Sequence, residues 1–346
     1  MNLKWYLLFF ALIFFSYGAN DVLKNNSPEK GKIDYELIYL INGDGDYLYH
    51  DLKGKPHLAD EAKLNEALSV AKHCSNGEVF IFHQKEKSDF LFFHSDNREF
   101  YYYRNGKLFR NETYNDHGSN VLLETEAYLY NKYRTKNNHV KKYLLYFGHE
   151  IPEIIKGSSA SNKMLDVDNF TSSVKRFAGN KKFNLIVLST CHNGTPGTIL
   201  KLSPFADYII ASPENLHLSN IDTKYFESLD SLKQTDFQFA KSFAETAFEN
   251  LKKRTQTVVT IVLYDTQKTS KFLNRIKDKY LSIVHSLERR NNASFDYIDL
   301  NEKPELFHGN SSEGIISFYR PSRFGVDENK LSHSGWEIIV AKKSMQ

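Results

Sequence analysis

The stretch FNLIVLSTCHNGTPG, residues 183–197, runs from a nearly uninterrupted apolar segment of strand length into a cysteine and then into a polar turn with two glycines. A strand written in Leu, Ile and Val without polar alternation is buried on both faces, which is the pattern of a parallel sheet covered by helices. Upstream, KYLLYFGHE (142–150) has the same form and ends in His149. Working outward, YELIYLI (35–41), EVFIFH (78–83), ADYIIAS (206–212) and TVVTIVLY (257–264) read as further strands. Between them lie segments of helical period: 59–72, with Leu64, Ala67, Leu68 and Ala71 on one face, then 119–134, 237–253 and 268–290. Strands alternating with helices predict an α/β protein, a mostly parallel sheet with helices on both faces.

Two departures from that alternation are expected. The aromatic runs EFYYYR (99–104) and KLFR (107–110) flank Asn105-Gly106, a strong short hairpin signal, so a small antiparallel hairpin is inserted at a sheet edge, after a further strand FLFFH (90–94). The tail pieces 296–300, 314–320 and 333–340 read as a C-terminal appendage. The polar segment from Ile151 to Lys182 carries no predicted element. The resulting division is a signal peptide over 1–18, a linker over 19–32, a core over 33–265, and a helix and strand subdomain over 266–346 packed on that core.

The chain has 346 residues, 25% of them charged and 41% hydrophobic, with 45 Lys and Arg against 42 Asp and Glu. This excludes a disordered, collagen-like or disulfide-scaffold protein, and a formal net charge of +3 gives no warrant for nucleic-acid binding. The N-terminus, MNLKWYLLFFALIFFSYGAND, has one lysine, an apolar run too short to span a bilayer as a helix, and small residues permitting cleavage after Gly18. It reads as a secretory signal peptide, with an uncleaved anchor as the alternative. No cysteine follows the run, which argues against a lipid-modified signal. The mature chain is therefore expected to be secreted or periplasmic, without a transmembrane segment, and monomeric.

Export would permit a disulfide between the two cysteines, Cys74 and Cys191. Cys74 precedes a strand and Cys191 follows one, so a parallel sheet sets them about 15–20 Å apart, beyond the ~7 Å reach of a bridge. A cysteine exported without a disulfide partner needs a reason, and catalysis is one. A thiol is a weak nucleophile until an imidazole within reach helps form the thiolate. His149 and Cys191 end strands that can be neighbours, about 4.8 Å apart, and backbone N–H groups of Gly148, His192, Gly194 and Cys191 itself are candidates for an oxyanion hole. A buried core cysteine is the alternative for Cys191. Histidine before cysteine in chain order fits caspase-type rather than papain-type enzymes.

Taken together, LIYLINGDGDYL, YLLYFGH, NLIVLSTC, ADYIIASPE, VVTIVLYDTQ, FDYIDL and GIISFYRP resemble, in that order, the clostripain-like cysteine peptidases of the caspase-hemoglobinase fold. The resemblance runs over most of the mature chain and rests on the ordered set, since no single motif is long. It implies that Cys191 is the nucleophile and His149 the general base and acid, acting on a peptide or protein substrate without a cofactor. It also implies cleavage after Arg or Lys, and self-processing between His149 and Cys191, where Lys156, Lys163, Lys175 and Arg176 are candidate positions.

Two positions depart from the family. Glu150 stands where it has glycine, and Ser189 where it has the aspartate that receives a basic side chain. Glu214 and Asp222 are candidate replacements for that carboxylate. The loop NGDGD (42–46) fails as a calcium site because its twelfth position is Lys53, not a bidentate Glu, so Asp44 is read instead as part of the active-site wall. His83 and His192 are read as structural or solvated, and no spacing indicates a metal. A catalytically inactive binding protein on the same fold is the alternative function, and a hydrolase or transferase acting on a non-peptide acyl group is a third.

Overall fold

The unbroken apolar runs become the centre of one sheet. The computed structural model describes residues 32–43, 48–50, 55–85, 88–90, 93–95, 98–115, 120–137, 139–153, 155–156, 165–216, 221–288, 295–299, 311–325 and 328–342. The sheet strands are β1 (Tyr35–Asn42), β2 (Gly77–Gln84), β3 (Arg98–Arg104), β4 (Lys107–Tyr114), β5 (Lys141–Phe147), β6 (Phe183–Ser189), β7 (Ala206–Ala211), β8 (Val259–Asp265) and β9 (Ile315–Arg320). They lie in the order β9-β8-β7-β6-β5-β1-β2-β3-β4. The middle of the sheet, β7-β6-β5-β1-β2, is wholly parallel, and an antiparallel pair flanks it on each side.

Alternation along each strand sends side chains to two cores. Leu37, Tyr39 and Ile41 of β1 join Leu185 and Val187 of β6 against α1 (Ala59–His73) and, after the helices α2 (Glu124–Tyr133), α3 (Val167–Ala178) and α4 (Pro196–Leu202), against α5 (Asp236–Arg254). Ile38, Leu40, Ile186 and Leu188 face the other way, against α2, α3, α4 and α6 (Thr266–Glu288). Helices thus cover both faces, as the sequence pattern requires.

Helix α3 lies inside the segment read as featureless. Asp166 caps its first turn by accepting from the Asn169 N–H, and Val167, Phe170, Val174 and Phe177 form its buried stripe. The intervening Ser, Lys and Arg residues hide that period when polarity is averaged over the segment. Asn105 and Gly106 both adopt positive φ, +50° and +73°, the turn that matches the strand twist of a tight hairpin, so β3 and β4 form the expected edge insertion. FLFFH is not one strand: Ser88–Phe90 and Phe93–Ser95 pair antiparallel with each other.

The tail divides. Ile315–Arg320 is the edge strand β9 of the main sheet, whereas Phe295–Asp299 and Glu337–Lys342 form a small sheet with Ile155–Lys156. Trp336 is fully buried, its ring 4.8 Å from that of Tyr264 and stacked on Phe272. Residues 33–346 accordingly form a single unit. No helix among the described residues is long and apolar enough to cross a membrane.

At the opposite end of the sheet from the strand ends that carry His149 and Cys191, Lys142 is buried with its ammonium donating to Phe177 O (2.8 Å) and Ala178 O (2.9 Å), the last carbonyls of α3. Burial pushes its pKa down from 10.5 to about 8. Between those values the unfolded chain holds a proton that the folded chain has released, so this lysine makes stability rise with pH across that window. Lys142→Met should flatten that rise, which denaturant unfolding of both proteins at pH 8 and pH 10 will show.

Candidate active site

Strands β5 and β6 are parallel neighbours, and their register pairs Phe147 with Ser189. His149 and Cys191 each stand two residues farther on, so both leave the same edge of the sheet at the same level, and both are half-buried. Neither cysteine forms a disulfide, and Cys74, before β2, is fully buried with its pKa pushed up to about 12 by that burial. Cys191 is therefore the one half-exposed thiol among the described residues.

Beyond the last sheet pair, side chains carry the register on. Asn193 Nδ2 donates to Ile151 O (2.8 Å), the Ile151 N–H donates to Asn193 Oδ1 (3.0 Å), and the Thr190 hydroxyl donates to the same oxygen. The residue two places after the cysteine is thus tied at both ends to the residue two places after the histidine. Glu153 adds a second tie: its carboxylate accepts from the Thr195 hydroxyl, the Thr198 N–H (3.1 Å) at the start of α4, and the Tyr280 hydroxyl of α6. Neither Asn193 nor Glu153 was singled out by the sequence pattern. The available signal was a pair of polar residues set just beyond two strands whose central runs, Tyr143 to Phe147 and Leu185 to Leu188, are apolar.

The turn after Cys191 differs from expectation. His192 takes a left-handed φ of +53°. Its N–H donates to Glu214 O (3.2 Å), and the Gly194 N–H donates to Ser212 O (2.8 Å). Those two amides therefore do not make an oxyanion hole, because both are spent fastening the turn after Cys191 to the loop after β7. The approach is close enough that a Cβ on Gly194 would lie 2.6 Å from Pro213 N and 2.8 Å from the Tyr264 hydroxyl. Gly148 stays beside the histidine, packed near Asn42 at the end of β1. Glu150 and His192 line a small cleft with Pro152 and Thr195.

The candidate recognition residues are engaged within the protein. Ser189 is buried, and its Oγ accepts from the Ile221 N–H (2.9 Å), which makes it a peg for the loop after β7 rather than a pocket wall. Asp222 accepts from the Lys224 N–H (2.9 Å) and lies 3.6 Å from Arg254. Glu214 Oε1 is 3.0 Å from Nε2 of the buried His333. Lys63 of α1, fully buried near the same loop, donates to Ile221 O (2.7 Å) and to Glu66 (2.8 Å). Asp44 lies outside the described residues. His83 is buried rather than solvated, with its ring nitrogens 2.9 Å from Asp60 and 3.3 Å from Glu99. Among the described residues no group of His, Cys, Asp and Glu could hold a metal ion. One residue next to the thiol was not foreseen: Asn215 places Oδ1 2.9 Å from Cys191 Sγ.

No family profile matches the chain, and no curated protein sequence does. Solved structures do. The inactive zymogen of a C11 protease from Parabacteroides distasonis is 13% identical and matches with a TM-score of 0.58 over 91% of this chain and 94% of its own. The chain has the fold of the C11 cysteine proteases. A secreted C11 cysteine protease from Bacteroides thetaiotaomicron, solved in complex with an irreversible peptide inhibitor, matches with the same TM-score of 0.58 at 12% identity, over 89% of each chain.

Because Asn193 satisfies both backbone groups of Ile151 in a buried setting, Asn193→Ala leaves an N–H and a C=O unpaired. It should lower stability by about 2–4 kcal/mol, measured by denaturant unfolding.

Proposed function

We propose that the chain is an exported cysteine endopeptidase with Cys191 as nucleophile and His149 as general base and acid. The observation that carries this reading is the register of β5 and β6, which brings a histidine and a thiol to one sheet edge in the fold of a protease that was trapped with a peptide inhibitor. In the reaction, His149 takes the Cys191 proton and the sulfur attacks the scissile carbonyl. His149 then returns the proton to the leaving amine, and water, deprotonated by the same imidazole, releases the acyl group from sulfur. The amides of Cys191 and Gly148 are the candidates for stabilising the developing oxyanion.

Export rests on residues 1–18, which lie outside the described residues. The residue preferred before the cut is the finer question. Ser189 is capped by Ile221, Asp222 lies near Arg254, and Glu214 faces His333, so these residues support a preference other than Arg or Lys. The proposed self-processing positions are narrowed by the same geometry. Lys175 and Arg176 belong to α3, a conformation that cannot lie extended across a peptidase site, and Lys163 falls outside the described residues. Cleavage after Lys156 or Lys163 would need the basic preference that the committed carboxylates argue against.

The test compares the full chain with Cys191→Ala and His149→Ala on a mixed library of quenched peptides, with intact mass recorded in parallel. The wild type should cleave, with its preferred residue read from the products, while each variant loses at least about 1000-fold in kcat/KM. Full activity in Cys191→Ala would end the proposal. Silence of the wild type even after treatment with a trypsin-like activator would favour the inactive binding protein.

A further inference from the structure

We infer that Asn215 is a third member of the reacting group, a side chain that accepts from the Cys191 thiol at rest and donates to the thiolate once His149 has taken the proton. This rests on the nucleophile reading above and goes beyond it by assigning a role to a residue on a different loop.

The geometry is specific. Asn215 follows β7 in the segment 212–216, and its Oδ1 lies 2.9 Å from Cys191 Sγ. The backbone that carries it is held on both sides of the contact. Ser212 O accepts from the Gly194 N–H, Glu214 O accepts from the His192 N–H and from the Ser212 hydroxyl, and the Glu214 N–H donates back to Ser212 Oγ (3.0 Å). The Glu214 side chain meets buried His333, and Leu216, on the other side of Asn215, is buried. An amide held this way is placed by the nucleophile turn itself, since two of its anchors are the amides of the residues one and three places after the cysteine.

An amide presents an acceptor oxygen and two N–H donors on opposite sides of one bond. With the thiol protonated, the oxygen faces sulfur and accepts its S–H. When the S–H bond breaks, the proton passes to His149 and the electron pair stays on sulfur, which becomes an acceptor only. A half-turn of the amide about its last side-chain bond then sets Nδ2–H toward the sulfur. An S–H group is a weak donor, so the first contact contributes little, whereas N–H to thiolate is charge-assisted and about twice as strong as a neutral bond. The difference between the two favours the thiolate. Asn215 therefore adds to the effect of the imidazolium and holds the sulfur in one rotamer while it attacks.

The readout is the pH profile of Cys191 alkylation by iodoacetamide, followed by intact mass on the full chain, because it reports the thiolate without requiring any substrate. Cys74 stays silent in this assay, being fully buried. Three variants are compared with the wild type: Asn215→Leu, which keeps the volume and removes the donors; Asn215→Asp, which keeps the shape and places a like charge beside the thiolate; and His149→Ala. Asn215→Leu should raise the alkylation midpoint by about one pH unit, which slows alkylation near neutral pH about 10-fold, and Asn215→Asp should raise it further. If Asn215→Leu melts early and cannot be used, Asn215→Ala takes its place, since it removes the same donors without adding a charge. A midpoint that is low in the wild type, lost in His149→Ala and unmoved in folded Asn215 variants overturns the role of Asn215 alone. An ordinary thiol midpoint of about 8.5 in the wild type, indifferent to His149, overturns the nucleophile reading and this inference together.

Discussion

The site depends on one continuation: two parallel strands stop hydrogen-bonding at Phe147 and Ser189, and the Asn193 amide then takes over the pairing by bonding both backbone groups of Ile151. A side-chain amide can do this because it carries the same donor and acceptor as a peptide group, at the end of a short rigid stem. Without it, the chain on either side would splay where the strands end, and a histidine and a cysteine that are 42 residues apart would share an edge but not a geometry. Glu153 extends the same logic, drawing the start of α4 and the flank of α6 onto the segment that follows His149.

The cysteine side of the site is braced from a third direction. The N–H groups of His192 and Gly194 go to carbonyls of the loop after β7, that loop meets His333, and two residues on from His333 the Gly335 carbonyl accepts from the Tyr264 hydroxyl that Gly194 must leave room for. The C-terminal segment is thereby part of the wall behind the Cys191 turn. Its contribution follows from β9 joining the main sheet and from Trp336 lying between Tyr264 and Phe272. Charge is arranged conservatively around this frame: Lys63, Glu66, Asp222 and Arg254 sit within one cluster by the loop that Ser189 pegs, so buried charges there have partners.

Much of the fold was legible from pattern. The five parallel strands announce themselves because a strand buried on both faces carries a near-continuous apolar run, and the hairpin at Asn105-Gly106 because two positive φ angles in succession favour that pair. Helix α3 was missed since its apolar stripe of Val167, Phe170, Val174 and Phe177 is one residue in three or four, and lysines and serines fill the rest. Of the candidate site, the arrival of His149 and Cys191 at one sheet edge was legible because each follows the end of a strand in a parallel pair. His192 and Gly194 were misassigned because a sequence cannot show where a backbone N–H is spent.

The sequence by itself determined which segments are buried strands, that they form a mostly parallel sheet, and that His149 and Cys191 each follow the end of one, because periodicity and chain order are local and one-dimensional properties. Tertiary structure decided the rest. Asn193, Glu153, Asn215 and His333 act through contacts between segments far apart in the chain, and Glu214 and Asp222, the carboxylates read as candidates for a basic substrate, are engaged by partners from other elements. The physical reason is the same in each case: a polar side chain has several partners it can satisfy, and only the packing of the whole molecule determines which one is within about 3 Å.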